Sequence, residues 1–186
     1  MTVLNLGGML WKMPSDNYVS ERNFADSYNN EVIEQILRPN LGKIANITIA
    51  SIRKDVEEAT DFQVKIDYEG VACRLRRASF VKYNDLTIRG KNGDSETEIH
   101  KLRRHLARWF VYGYVDDRQH KILKWYLIDI FQMIRCHILE DEYLPTLIMN
   151  KDGKTGFYTF SFKRLNELGC IIAGSENCRD KQTKLI

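Results

Sequence analysis

Hydrophobic residues recur at helical spacing in one early part of the chain. Between Tyr28 and Leu37, valine, isoleucine and leucine fall on one face of a helix, and polar residues fill the other positions. Pro39 and Gly42 follow, and both residue types commonly end helices. The pattern therefore predicts an amphipathic helix over residues 28–37, with its apolar face against a core.

An alternating pattern takes over further along and predicts a β-hairpin over residues 60–77. Apolar and polar positions alternate on both sides of a turn at Glu69-Gly70, and the second strand ends in a run of arginines. Asp61 opens the first strand, and cross-strand pairing brings it opposite the arginine strand. We expect Asp61 to point into a cleft with Arg74 or Arg76, with a plain cross-strand ion pair as the alternative.

Further strands and helices follow the hairpin. They are predicted as a strand at 86–89, a helix from Ser95 to about Phe110 opened by a Ser95/Glu98 capping box, a hairpin of 109–115 with 122–131, a helix within 128–139, a strand at 156–162 and a helix at 163–168. This order predicts an α/β fold, with a single mixed central sheet flanked by helices.

The length of the chain suits one domain. Its 186 residues are enough to bury a core of their own. Residues 1–25 show no clear periodicity and are expected to form an irregular N-terminal lead-in. The domain is expected to span residues 26–174, and the polar residues 175–186 are expected to form a flexible tail.

Composition narrows the class of protein only slightly. Hydrophobic residues make up 44% and charged residues 28%, which is ordinary for a globular protein. No apolar run approaches the roughly 20 residues that span a bilayer, and the N-terminus lacks the basic start of a signal peptide. The four cysteines form no CxxC pair, which argues against a zinc ribbon. We expect a cytoplasmic protein that does not enter a membrane.

Positive charge concentrates in the middle of the chain. The formal net charge of +3 is too small to indicate nucleic-acid binding by itself, so local clustering matters more. The candidate binding residues are Arg74, Arg76, Arg77, Arg89, Lys101 and Arg104. Such a cluster is expected to bind nucleic acid or, alternatively, a protein with an acidic surface. The sequence also leaves a homodimer open.

One carboxylate lies inside an apolar run. Asp129 stands within the hydrophobic stretch from Ile122 to Phe131. A buried carboxylate must be paired or must bind a metal, because its charge is costly in apolar surroundings. We expect a nearby arginine or lysine to pair with Asp129, with a metal as the second choice.

Several short motifs resemble those of a known group. The motifs are Ala59-Thr-Asp61, Ala72-Cys-Arg-Leu-Arg76, Leu86-Thr-Ile-Arg89, Glu96-Thr-Glu98 and Phe110-Val-Tyr-Gly-Tyr114. They are similar to those of phage and prophage proteins, mostly of unassigned function. The order of elements over about residues 25–135 resembles the PD-(D/E)xK nuclease superfamily. The resemblance implies a restriction-endonuclease-like core and phosphodiester hydrolysis with Mg²⁺ or Mn²⁺.

The resemblance also implies a set of site residues. Asp61 matches the strand aspartate that holds the metal, and Glu31 or Glu34 matches the acid on the first helix. Arg74 or Arg76 stands in the region of the superfamily's lysine. Together these residues would bind the metal and assist the attack on a phosphate.

The match departs from the superfamily where its acid-x-lysine motif should stand. Ala72 lies two positions before Arg74, and arginine is a poor proton acceptor because its pKa exceeds about 12. A second alignment uses Gln63-Val-Lys65 with Asp55 upstream. Three functions stay open: a metal-dependent nuclease, an inactive nuclease-like module that binds nucleic acid or blocks a host defence complex, or a structural protein whose charges are only solvated.

Overall fold

A computed structural model gives the fold over most of the chain. The described residues are 5–6, 9–10, 16–41, 47–51, 54, 57–58, 60–64, 69–116 and 118–175. Parts of the sequence predictions fall outside them, namely Asp55, Lys65 and the tail from residue 176.

The described strands fall into three sheets. They are β1 (Asn5–Leu6), β2 (Met9–Leu10), β3 (Ile47–Ile49), β4 (Phe62–Val64), β5 (Glu69–Arg77), β6 (Asp85–Asn92), β7 (Trp109–Asp116), β8 (Lys121–Asp129), β9 (Ile148–Met149), β10 (Thr155–Ser161) and β11 (Ile171–Gly174). The largest sheet has the order β11-β8-β7-β5-β4-β3, the second has the order β6-β10-β9, and β1 pairs with β2. In the six-stranded sheet β5 and β7 are parallel and the other neighbours are antiparallel, so this sheet is mixed.

Short helices connect these strands. They are α1 (Asp16–Asp26), α2 (Asn29–Glu31, Val32–Leu37 and Arg38–Asn40, π-helical in its middle part), α3 (Glu98–Arg103), α4 (Ile130–Arg135) and α5 (Phe162–Glu167), with 3₁₀ segments at Ala78–Tyr83 and Asp141–Tyr143. The helix predicted at 28–37 is confirmed, and the chain continues it to Asn40 through Pro39.

Two hydrophobic clusters cover the two faces of the six-stranded sheet. On one face, the apolar side of α2 packs against Phe62, Val71 and Val111. On the other face, Phe110 and Tyr112 pack together with apolar residues from the second sheet and from α3, α4 and α5. The architecture is thus α/β, as predicted, with a helical layer on one side of the mixed sheet and a mixed layer on the other.

The prediction of a single central sheet was wrong. The strand predicted at 86–89 exists as β6, but it pairs with β10 and not with the hairpin that precedes it. The 3₁₀ segment Ala78–Tyr83 separates β5 from β6 and carries the chain out of the first sheet. Alternation of apolar and polar residues predicts a strand, but it does not show which sheet the strand joins.

The long helix predicted from Ser95 to Phe110 was also wrong. Helix α3 ends at Arg103, and His105 has a left-handed backbone with φ of 62°. The capping box does not form, because Glu98 instead accepts hydrogen bonds from the Arg74 side chain and the Arg89 amide. Glu98 therefore makes tertiary contacts instead of the local capping contact that the sequence motif predicted.

The irregular lead-in predicted for residues 1–25 needs a similar correction. Helix α1 occupies Asp16–Asp26, and Arg22 forms an ion pair with Asp26 one turn later, at 3.3 Å. This helix has few apolar residues, so its sequence lacks the periodicity by which an amphipathic helix is recognised.

Candidate functional site

Two arginines of strand β5, Arg74 and Arg76, belong to different groups of residues. We call the first group the Asp61 centre, which comprises Asp61, Arg74 and Glu98. We call the second group the Arg76 surface, which comprises Arg76, Phe80, Lys82 and Tyr83.

The backbone fixes Asp61 beside the start of β5. Its amide donates to the Val71 carbonyl at 2.8 Å, and its carbonyl accepts from the Ala50 amide at 2.8 Å. Its carboxylate accepts a hydrogen bond from the Cys73 amide. Asp61 thus lies immediately before β4, partly exposed, with its side chain held against the neighbouring strand.

Gly70 lets two neighbouring segments of the chain come close to the start of β5. A Cβ at Gly70 would lie 2.5 Å from the Thr60 hydroxyl oxygen and 2.6 Å from the Leu106 carbonyl oxygen. Those two atoms are themselves joined by a hydrogen bond of 3.2 Å, and the Gly70 carbonyl accepts from the Arg108 amide at 2.8 Å. The turn predicted at Glu69-Gly70 was wrong, because both residues lie in β5, where Glu69 pairs with Val64 and Gly70 with Gln63. Gly70 matters instead because the segments around Thr60 and Leu106 pack directly against it.

Arg74 and Glu98 form the ion pair of the Asp61 centre. Arg74 Nη2 lies 2.7 Å from Glu98 Oε2, and the same oxygen accepts from the Arg89 amide at 2.9 Å. The two side chains are only 25% and 14% exposed. Sequence reasoning named Glu98 only as a cap, because its partner Arg74 stands 24 residues away.

The surroundings of Asp61 favour its neutral form. The pKa of Asp61 is raised to about 7, mainly by burial and also by the nearby Glu98 charge, while the Cys73 amide, Arg22 and Arg74 act in the opposite direction. At neutral pH both the acid and the carboxylate of Asp61 are therefore populated. A strongly perturbed carboxyl group in a charged cluster is a common mark of a functional site, although structural ion-pair networks also produce it.

The helix glutamates predicted as metal ligands have other neighbours. Glu31 Oε1 lies 3.3 Å from His120 Nε2, in the turn after β7, and Glu34 pairs with Arg38 at 2.9 Å on the exposed side of α2. That turn lies beyond the far end of β5, about 20 Å along the strand from the position of Asp61. The structure therefore does not bring Glu31 to Asp61, and it gives Glu34 a different partner.

As they stand, the described residues do not fit a divalent metal centre. No group of three or more histidine, cysteine, aspartate or glutamate side chains comes together among them as metal ligands would. The Asp61 centre offers two carboxylates, and Glu98 gives one oxygen to both Arg74 and the Arg89 amide. This arrangement is that of an arginine–carboxylate pair.

The six basic residues predicted as one binding face do not form a single surface, because they differ in position and in partners. Arg77 stacks over the Phe24 ring of α1, on the opposite side of β5 from Arg74 and Arg76. Arg104 pairs with Glu96 at 2.9 Å. The pKa of Lys101 is lowered, mainly by burial, although the charges of Glu96 and Glu98 act in the opposite direction. Arg89 is exposed, and its backbone amide donates a hydrogen bond to Glu98 of the Asp61 centre.

Uncharged groups hold Arg76. Its Nη1 donates to the Tyr112 hydroxyl at 3.3 Å, and its guanidinium carbon lies 4.0 Å from the centre of the Phe80 ring. Asp85 acts on it through space: burial raises the pKa of Asp85, and the Arg76 charge lowers it. Arg76 thus keeps a charge that no short ion pair with Asp85 neutralises.

The 3₁₀ segment after β5 presents aromatic residues to solvent. Phe80 is 36% exposed and Tyr83 is 59% exposed. The Lys82 ammonium lies 5.2 Å from the centre of the Tyr83 ring, and the two aromatic rings are 6.3 Å apart. Sequence reasoning missed this segment because its apolar residues follow neither the helical nor the strand period.

Asp129 has the partner that its sequence context predicted. Its Oδ2 lies 3.3 Å from Arg108 Nη2, and its Oδ1 accepts from the Gln132 amide at 3.0 Å, which caps helix α4. The prediction of a nearby arginine or lysine is confirmed. Because both oxygens serve these structural contacts, Asp129 is not part of the candidate site.

Compared with known proteins, the chain matches no family model and no curated sequence. Among the described residues, no helix has the length and apolar character needed to cross a membrane.

Proposed function

We propose that the protein binds nucleic acid through the Arg76 surface and acts in the cytoplasm. In this proposal the Arg74–Glu98 pair of the Asp61 centre stabilises the fold, and the centre does not cut the bound strand. The scaffold would be the restriction-endonuclease-like core that the resemblance to the PD-(D/E)xK superfamily implies, without a working acid-x-lysine motif.

One observation carries the proposal: two arginines of one strand face have different partners. Arg74 is paired with Glu98 at 2.7 Å, so its charge is neutralised within the protein. Arg76 is held by a tyrosine hydroxyl and a phenyl ring. Because phosphate contacts dominate the affinity of nucleic-acid-binding proteins, the charge that is still available decides where a polyanion binds.

A labelled mixed-sequence oligonucleotide, as DNA and as RNA, tests the proposal by fluorescence anisotropy. Arg76→Gln with Lys82→Gln should weaken binding about 10- to 100-fold at low salt, since two cations beside the bound strand are lost. Arg135→Gln with Lys163→Gln removes two exposed cations elsewhere and should leave the affinity within about twofold.

Two results would contradict the proposal. One is equal loss in both double variants, which would mean that only net charge matters. The other is a wild-type protein that binds neither DNA nor RNA at low salt. That second result would favour the partner with an acidic surface, such as a component of a host defence complex.

Metal-dependent phosphodiester hydrolysis is the second candidate function. It is favoured by the repulsion between Asp61 and Glu98, which contributes to the raised pKa of Asp61 and which Mg²⁺ or Mn²⁺ would relieve. It would require Glu98 to exchange Arg74 for a metal, or ligands outside the described residues, such as Asp55. Cleavage by the wild type with Mg²⁺ that is lost in Asp61→Asn, while binding persists, would establish this candidate over the non-catalytic one.

A further inference from the structure

We infer that the Arg76 surface takes an unpaired strand, with bases stacked on the rings of Phe80 and Tyr83. The inference rests on the proposed nucleic-acid binding and adds the class of ligand.

The two rings are accessible and adjacent. Phe80 and Tyr83 stand three residues apart in the 3₁₀ segment Ala78–Tyr83, with ring centres separated by 6.3 Å and ring planes inclined by 36°. Surfaces that bind single strands combine positive charge with exposed aromatic rings, because every base offers a face for stacking.

Each ring has its own cation. The Arg76 guanidinium covers one face of Phe80 at 4.0 Å, and the Lys82 ammonium lies 5.2 Å from the Tyr83 ring centre. A base stacked on either ring would therefore place its phosphate near a positive charge. This combination of ring and cation distinguishes the Arg76 surface from a purely apolar patch, which would suit a protein partner better.

The segment is fixed at its far end. Asn84 adopts a left-handed backbone with φ of 49°, and its Oδ1 accepts hydrogen bonds from Lys124 at 2.9 Å and from the Tyr126 hydroxyl at 3.3 Å. Strands β5 and β6 lie directly on either side of the segment. The rings are thus presented by a short turn that is anchored at both ends, which lowers the entropy that binding would cost.

A duplex fits this surface poorly. Base faces in a duplex are covered by their neighbours, so Phe80 and Tyr83 would find no face on which to stack. Readout of the major groove needs a helix or a two-stranded ribbon that enters the groove, and a six-residue 3₁₀ turn is neither. Unpaired nucleotides are therefore the class of ligand that uses both the rings and the cations.

The test compares a fluorescein-labelled dT₁₂ strand with a blunt 12-base-pair duplex, both titrated by anisotropy at fixed salt. Phe80→Leu and Tyr83→Leu keep apolar bulk but remove the stacking face. Each should weaken dT₁₂ binding about tenfold, in line with the usual loss per stacked base, and should leave duplex binding unchanged. Tyr143→Leu is the matched control, because Tyr143 is 62% exposed in a different 3₁₀ segment, and it should change neither affinity.

The possible results separate this inference from the function on which it rests. Equal wild-type affinity for strand and duplex, with no specific loss in the two leucine variants, would overturn the inference alone. A wild-type protein that binds neither probe would overturn the proposed function as well. Circular dichroism of each variant confirms folding, and tighter binding of dT₁₂ with a selective tenfold loss supports the inference.

Discussion

The surroundings of Arg74 and Arg76, two residues of strand β5, show how context changes the role of the same residue type. Arg74 and Arg76 are two positions apart and point to the same side of the sheet. The first is closed into an ion pair with Glu98, and the second lies against Phe80 beside exposed aromatic residues. A run of arginines in a sequence thus shows how much positive charge is present, but the structure determines how much of that charge can contact a ligand.

The largest expected effect concerns the pH dependence of stability at the Asp61 centre. The carboxyl group ionises near 3.8 in the unfolded chain and near 7 in the folded protein. Between these values the folded state holds a proton that the unfolded state releases. The contribution of Asp61 to stability is therefore complete below about pH 4 and is lost as pH rises to about 7.

Asp61→Asn cannot ionise, so it isolates this effect. Relative to the wild type, the variant should gain up to about 4 kcal/mol in unfolding free energy as pH rises from about 4 to 7, and little above that. Urea titrations of both proteins at several pH values measure the difference. A constant difference across this range, or a wild type that gains on the variant, would show that Asp61 is not held in its neutral form.

The next effect compares the stability of matched arginine variants. Arg74→Met should cost about 2 to 3 kcal/mol, because it leaves Glu98 largely buried without its charge partner. Arg76→Met should cost about 1 kcal/mol or less, since it loses one hydrogen bond and one ring contact. Denaturant unfolding of both variants measures the costs, and a greater loss in Arg76→Met would reverse the contrast between Arg74 and Arg76.

A double-mutant cycle sharpens the same comparison. If the Arg74–Glu98 pair is the main interaction of both residues, the cost of Arg74→Met with Glu98→Gln should be well below the sum of the single costs. Additive costs would mean that other contacts, such as the Arg89 amide on Glu98, dominate.

A smaller effect concerns the end of the aromatic segment. Asn84→Ala should cost about 1 to 2 kcal/mol, because alanine is strained in the left-handed conformation and loses the bonds to Lys124 and Tyr126. Asn84→Gly keeps the backbone conformation and should recover about half of that cost. Thermal or urea unfolding measures both, and equal losses would show that the side-chain bonds alone matter.

The sequence predicted those parts of the fold that depend on local pattern. Alternation located both strands around Asp61 and both strands of the β7–β8 hairpin, and helical spacing located α2. The partner of Asp129 was also predicted, since Arg108 was the kind of neighbour that a carboxylate in an apolar run requires.

What the sequence did not predict depends on contacts between distant segments. Glu98 satisfied a local capping motif, yet its strongest contact is with Arg74 on a strand 24 residues earlier. The Arg76 surface arises because β6 leaves the first sheet, which turns the intervening segment outward and exposes Tyr83. Neither the Arg74–Glu98 contact nor the departure of β6 produces a periodic pattern in the sequence, because packing between distant segments decides which sheet a strand joins.

The salt dependence of binding to dT₁₂ shows directly whether Arg76, and not Arg74, contacts the phosphates of a bound strand. Wild type, Arg74→Met and Arg76→Met are compared over a range of salt concentrations, by the slope of log affinity against log salt. We expect Arg76→Met to lower the magnitude of the slope by about 0.7, the value for one phosphate contact on a single strand, while Arg74→Met should leave it unchanged. Equal slopes in both variants, or a loss in Arg74→Met alone, would contradict the assignment of binding to the Arg76 surface.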